Sequence, residues 1–135
     1  MREIKFRGKR LDNGEWIFGD LHIRSCNPHI HSDFFAKTPI DTNTIGQFTG
    51  ICDYNGTEIF EGDIVKCCYM IPTWGWSERA EEKEKEVIGV VKYRRGDFCI
   101  GEYPMVSFHD SEMEVIGNMY DNPELLKNAS NYENE

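Results

Sequence analysis

Thr44-Ile45-Gly46-Gln47-Phe48-Thr49-Gly50-Ile51-Cys52-Asp53-Tyr54-Asn55-Gly56-Thr57-Glu58-Ile59-Phe60-Glu61-Gly62-Asp63-Ile64-Val65 decides the fold class. Its apolar runs are one or two residues long, and a glycine stands at nearly every place the chain must turn. No position repeats at the spacing of an amphipathic helix. Asp53-Tyr54-Asn55-Gly56 is a turn signal, since Asp and Asn hydrogen-bond to nearby backbone and Gly accepts positive φ. Glu61-Gly62-Asp63 then opens the apolar run Ile64–Ile71, the longest expected strand. The stretch is tightly turned β structure.

The same pattern extends outward. Ile4 and Phe6 alternate with Glu3, Lys5 and Arg7, and Trp16, Phe18, Leu21 and Ile23 answer them after Asn13-Gly14. This predicts an N-terminal hairpin with a type I′ turn. Residues 25–44 carry Pro28 and Pro39 among polar runs and are expected to be irregular, pinned by Phe34 and Phe35. Further short strands are expected at 45–48, 87–93, 98–100, 105–108 and 115–119, with a turn at Arg94-Arg95-Gly96-Asp97. Ser77–Glu86 has no apolar face and reads as a solvated hairpin tip. Glu86-Val87-Ile88-Gly89 recurs as Glu114-Val115-Ile116-Gly117, too short a match for a duplication and explained as well by two similar strands of one barrel. Asn122-Pro123-Glu124 is a helix start, with Asn122 as cap and Pro123 at the first helical position. The tail from Asn128 is polar.

The 135 residues, 39% hydrophobic and 13% aromatic, suffice for one packed unit. No apolar run approaches the roughly 20 residues of a membrane helix, and the basic N-terminus lacks an apolar signal core, so a cytoplasmic location is expected. The five cysteines are read as free thiols, and adjacent Cys67 and Cys68 should face opposite sides of a strand. Net charge is −9, which opposes nonspecific binding to DNA or anionic membrane. The charge is uneven: residues 1–10 hold five basic groups against Glu3, and residues 110–135 hold seven acids against Lys127. That asymmetry suits soluble strand edges or contact between copies.

Candidate chemistry is thin. Cys26, His29 and His31 are metal-ligand types, but no fourth ligand is near and no metal is assigned. His109 with Asp110 and Glu112 offers a base without a recognisable nucleophile and reads as a solvated turn. Glu61 and Asp63 are paired carboxylates whose place on a glycine turn favours backbone hydrogen bonding over catalysis. No glycine-rich phosphate loop is present and no cofactor is expected. The most suggestive surface combines Lys66, Tyr69, Trp74, Trp76, Lys92, Tyr93, Arg94 and Arg95, aromatic and basic residues that could bind a protein partner or stack on single-stranded nucleic acid.

Three segments together resemble one family. Arg2-Glu3-Ile4-Lys5-Phe6-Arg7 with Trp16–Leu21, the stretch Thr44–Val65, and Val115–Tyr120 followed by Asn122-Pro123-Glu124-Leu125-Leu126 are similar to the motifs of YopX-family proteins. The resemblance spans nearly the whole chain. It implies a small phage or prophage protein with a mainly β fold, self-association, and no assigned reaction, cofactor or ligand. The resulting expectation is an all-β chain: a hairpin and loop lobe over residues 1–44, an SH3-like small barrel with a short terminal helix over 45–127, and a polar tail over 128–135, forming one compact unit. The expected role is non-catalytic, by protein–protein binding or self-association in the bacterial host. A barrel that binds single-stranded nucleic acid and a hydrolase using His109 or a carboxylate are the alternatives.

Overall fold

The computed structural model describes residues 3–32, 37–73 and 81–128. They form eleven strands and one short helix: β1 (Phe6–Lys9), β2 (Trp16–Arg24), β3 (Asn27–His31), β4 (Thr38–Pro39), β5 (Gly46–Cys52), β6 (Glu58–Phe60), β7 (Asp63–Thr73), β8 (Glu81–Arg94), β9 (Asp97–Ile100), β10 (Tyr103–Pro104), β11 (Met113–Asn118) and α1 (Glu124–Asn128). The all-β class stands. The strands make two antiparallel sheets, ordered β4-β3-β2-β1-β5-β6 and β10-β9-β8-β7-β11.

The expected barrel does not close. β5 and β6 pair beside β1 in the first sheet, so the second sheet keeps β10 and β11 as open edges. Backbone pairing that would seal a barrel is spent on the N-terminal hairpin instead: Phe6 lies opposite Gln47 and Arg7 opposite Gly46. One sheet therefore draws strands from both sides of residue 44.

The N-terminal hairpin forms, but not through a type I′ turn at Asn13-Gly14. Lys9 pairs with Trp16, and only Gly14 of the two residues has positive φ (74°). Gly14 N–H donates to the Arg10 carbonyl and Glu15 N–H to the Asn13 side chain, which makes a longer loop. The true two-residue turn is Ser25-Cys26, both left-handed (φ 51° and 67°), joining Arg24 to Asn27. It opens β3 inside the segment expected to be irregular. Pro28 is tolerated there opposite Ile23, and Pro39 sits on the edge strand β4, where a missing donor costs least. Phe34 and Phe35 lie outside the described residues.

In the second sheet, β7 runs between β8 and β11, so the two similar tetrapeptides flank one central strand. The β7–β8 ribbon is paired from Ile64–Val90 out to Thr73–Glu81, and β8 begins at Glu81, six residues before Val87. Met105–Ser107, expected as strand, is a 3-10 turn. Asn122 marks the start of α1 through its backbone carbonyl, which accepts the Leu125 N–H (3.1 Å), while its side chain turns back to accept the Asn118 N–H.

The main core lies between the second sheet, β6 and the 3-10 turn: Ile59, Val65, Cys67, Val87, Val91, Ile100, Met105, Phe108 and Met113. A smaller cluster of Ile17, Ile30 and Ile40 underlies the N-terminal sheet. Cys67 is buried and Cys68 half-buried, as alternation requires, and all five cysteines are free. Burial pushes the Cys67 thiol up to about 12.

Candidate binding surface

The acidic, glycine-rich motif joins the two sheets. Asp53 in the β5–β6 turn accepts the N–H groups of Asn55 and Thr57 on Oδ1 (both 2.9 Å) and reaches across with Oδ2 to the Val115 N–H on β11 (2.8 Å). Glu61 accepts the Gln47 N–H (2.9 Å). Asp63 accepts the Phe60 N–H on Oδ2 (2.7 Å) and receives the Arg7 guanidinium on Oδ1 (2.8 Å). Both partners of that ion pair are sealed, with 8% and 4% of their side chains exposed. Arg7 stacks between Trp16 (4.5 Å) and Phe60 (5.0 Å). Its Nε is the one buried side-chain polar atom, among the described residues, without a hydrogen-bond partner; the neighbouring ring faces offer it only a weak π acceptor. Burial pushes the Asp63 carboxyl up from its ordinary value, and Arg7 and the Phe60 amide pull against it. Glu61 and Asp63 thus hold backbone and a cation in place, the reading their glycine turn suggests.

A second clasp joins the chain's ends. Asp121 takes Lys9, the Trp16 indole N–H (3.0 Å) and the Asn118 side-chain amide (3.0 Å). These donors, Lys9 foremost, hold its carboxyl down at about 2.

The basic and aromatic residues singled out from sequence do not, among the described side chains, form one platform. Lys66 on β7 lies opposite both Ile88 and Glu114, and its Nζ is 3.4 Å from Glu86. The Glu86 hydrogen bond is the main reason its ammonium pKa is raised. A phosphate approaching Lys66 would meet two carboxylates. Alternation along β8 puts Lys92 and Arg94 on one face and Tyr93 on the other. Tyr93 instead meets its cross-strand partner Phe98 edge-on at 5.1 Å. Arg95 is left-handed (φ 52°) beside Gly96 (φ 87°), forming the β8–β9 turn where a turn was expected. Tyr69 is placed by its backbone, opposite Lys85, and Trp74 and Trp76 lie outside the described residues.

Tyr93 opens onto a feature the sequence did not reveal. A cleft of about 370 Å³ lies between β5 and the end of the second sheet. Ile51, Phe98 and Met105 give it an apolar wall, Tyr93 and Val106 its lip, and Glu61 and Asp97 an acidic side. Val106 is 80% exposed and Tyr93 57%. The polar floor is committed internally, since Thr49 Oγ1 donates to the Ile59 carbonyl (2.8 Å). Sequence reasoning missed the cleft because Met105–Phe108 alternates like a strand; the 3-10 turn that ejects Val106 leaves no local signature.

Other candidates resolve simply. His109 caps the 3-10 turn Asp110–Glu112: its Nδ1 bonds Ser111, and its own N–H goes to Glu112 (2.7 Å). It is exposed, in the turn expected for it. Cys26 sits in the β2–β3 turn, while His29 and His31 project from β3. Among the described residues no three His, Cys, Asp or Glu side chains converge as metal ligands. No described helix is long and apolar enough to cross a membrane.

The central motif, the Trp16 strand and the Asn118–Leu126 corner thus meet at one seam, and a single family pattern covers all three: the YopX protein family matches residues 5–127. The chain belongs to the YopX family. Among solved structures it is similar to protein EF1440 from Enterococcus faecalis, at 26% identity and a TM-score of 0.51, covering 93% of this chain and 99% of that one. No curated protein matches its sequence.

Proposed function

We propose that this YopX-family chain is a non-catalytic phage or prophage accessory protein that binds another protein at the cleft between its two sheets. One observation carries the reading: two large apolar side chains, Tyr93 and Val106, stand exposed at the lip of a cleft whose polar floor is already internally bonded. Such a site has little left with which to activate a substrate and much to gain by covering apolar surface. Its acidic side, Glu61 and Asp97, favours a partner loop carrying a lysine or arginine, with the aliphatic stem against Ile51 and Phe98 and the charge at the carboxylates. A second copy of the chain supplies such groups, as do other proteins of the bacterial cytoplasm.

The test pairs two measurements. Light scattering over a concentration series at two salt concentrations reads self-association. Affinity capture from induced cells, with wild type and Val106→Asp side by side, reads other partners. Loss of a captured protein or of an oligomer in Val106→Asp supports the site. Identical behaviour of the two proteins, or turnover of any substrate at wild-type level in both, overturns it.

A further inference from the structure

Some cations of this acidic chain are ion-paired, and others, Lys85, Lys92, Arg94 and Arg95 among them, have no ion-pair partner among the described residues. Lys5, Arg7, Lys9, Arg10 and Lys66 each hold a carboxylate: Glu58, Asp63, Asp121, Asp12 and Glu86. Arg24 and Lys37 have no ion-pair partner among the described residues, yet both line a single cavity of about 360 Å³ with His22, His29 and Ile23. Among the described residues no carboxylate lines it. Two cations without an ion-pair partner among the described residues and two imidazoles thus meet at one concavity in a protein of net charge −9.

The register explains the convergence. His22 lies directly opposite His29, and Arg24 opposite Asn27 beside the tight Ser25-Cys26 turn. Lys37 enters β4 one residue before Thr38, which pairs with Ile30, so it stands level with His31 on the face that carries His29. The carboxylate on this face is Asp20, opposite His31, at the far end from Arg24. His29 Nδ1 lies 3.1 Å from the Asn27 carbonyl, which can only accept, so Nδ1 carries the proton and Nε2 is left for a ligand.

We propose that this cavity binds the phosphate group of a small phosphorylated organic molecule. Arg24 and Lys37 supply the charge, and a guanidinium presents paired donors matched to phosphate oxygens. The same two cations repel a metal ion, which separates this site from a histidine metal centre. A protonated phosphate can donate to His29 Nε2 as well as accept from the cations. The cavity falls at the small end of the roughly 300–1,000 Å³ range of small-molecule sites.

The experiment is a low-salt titration of the full chain with inorganic phosphate and with pyrophosphate, followed by the ring-proton NMR signals of His22 and His29. Saturable shifts of those two signals are expected, with pyrophosphate the tighter. Arg24→Ala and Lys37→Ala should each weaken binding about tenfold or more, and Lys92→Ala should change nothing. A histidine-neutral double variant, His22→Gln with His29→Gln, read by calorimetry, should weaken binding without abolishing it. Shifts that do not saturate, equal loss in Lys92→Ala, or zinc-dependent shifts in place of phosphate-dependent ones would overturn the proposal. Tighter binding of a single-stranded oligonucleotide than of pyrophosphate, lost in the same variants, would also overturn it by assigning the surface to nucleic acid.

Discussion

Replacing Asp63 by Asn isolates the buried ion pair. Asn keeps an oxygen for the Phe60 N–H, but in place of the charged acceptor it turns an amide NH2, itself a donor, toward Arg7. The guanidinium cannot shed its proton, and with 8% of its side chain exposed it cannot recover hydration where it lies. Leaving one member of a buried pair uncompensated costs about 3–5 kcal/mol. For a chain of this size that corresponds to a fall in melting temperature of about 10–20 °C. Arg7→Met should behave differently because a carboxylate can take up a proton. Burial already pushes the Asp63 pKa above its ordinary value, and without Arg7 the shift grows. A raised carboxyl pKa disfavours the charged folded state. Folding stability in that variant is therefore greatest below the unfolded value and is lost as pH rises through the folded one. The Arg7→Met deficit should be smaller at pH 5 than at pH 8. The double variant removes both charges and should be more stable than the sum of the single losses by about 2 kcal/mol. Urea unfolding followed by circular dichroism reads all three. Single variants within about 1 kcal/mol of wild type, or strict additivity in the double, would refute the view that this pair holds the sheets together.

Asp53→Ala strips acceptors from three backbone amides, two in the β5–β6 turn and one on β11, and should cost about 2–4 kcal/mol in urea unfolding. Gly62→Ala forces a side chain onto φ +91° and within 2.9 Å of Tyr120 Cε2, and should cost about 1–3 kcal/mol. Asp121, held at about 2 against an ordinary 3.8, contributes stability that is complete above the ordinary value and lost as pH falls through the lowered one. With 39% of its side chain exposed, screening limits that contribution to about 1 kcal/mol or less; Asp121→Asn should flatten the acid limb of a melting-temperature profile between about pH 4 and pH 2. Val106→Asp should leave the melting temperature within the shift expected of about 0.5 kcal/mol, so that any loss of partner is a surface effect.

The short-range part of the fold was legible in the sequence. Asp53-Tyr54-Asn55-Gly56 and Arg94-Arg95-Gly96-Asp97 turn where local chemistry says they must, and β7 opens at Asp63 after Gly62. What escaped was set at long range. Pairing of β5 with β1 rather than within a barrel brings Phe6 opposite the distant Gln47, and no local motif records that. Ser25-Cys26 occupies left-handed backbone that Asn-Gly usually marks, so the β2–β3 hairpin left no composition signal. At the candidate surface, closeness in sequence does not put side chains on one face. Lys92, Tyr93 and Arg94 are adjacent in sequence and therefore on alternate sides of β8. The cation partners were equally hidden, because Lys9 meets a carboxylate 112 residues away.

The Asp53 carboxylate spans 62 residues to reach Val115. While the chain is being synthesised, the β5–β6 corner leaves the ribosome well before the strand that completes it. The early strands must wait, half-knitted, for the last one to arrive. A chain built this way gains from swift release or from a chaperone's shelter, because its unfinished seam stays sticky until Val115 has emerged.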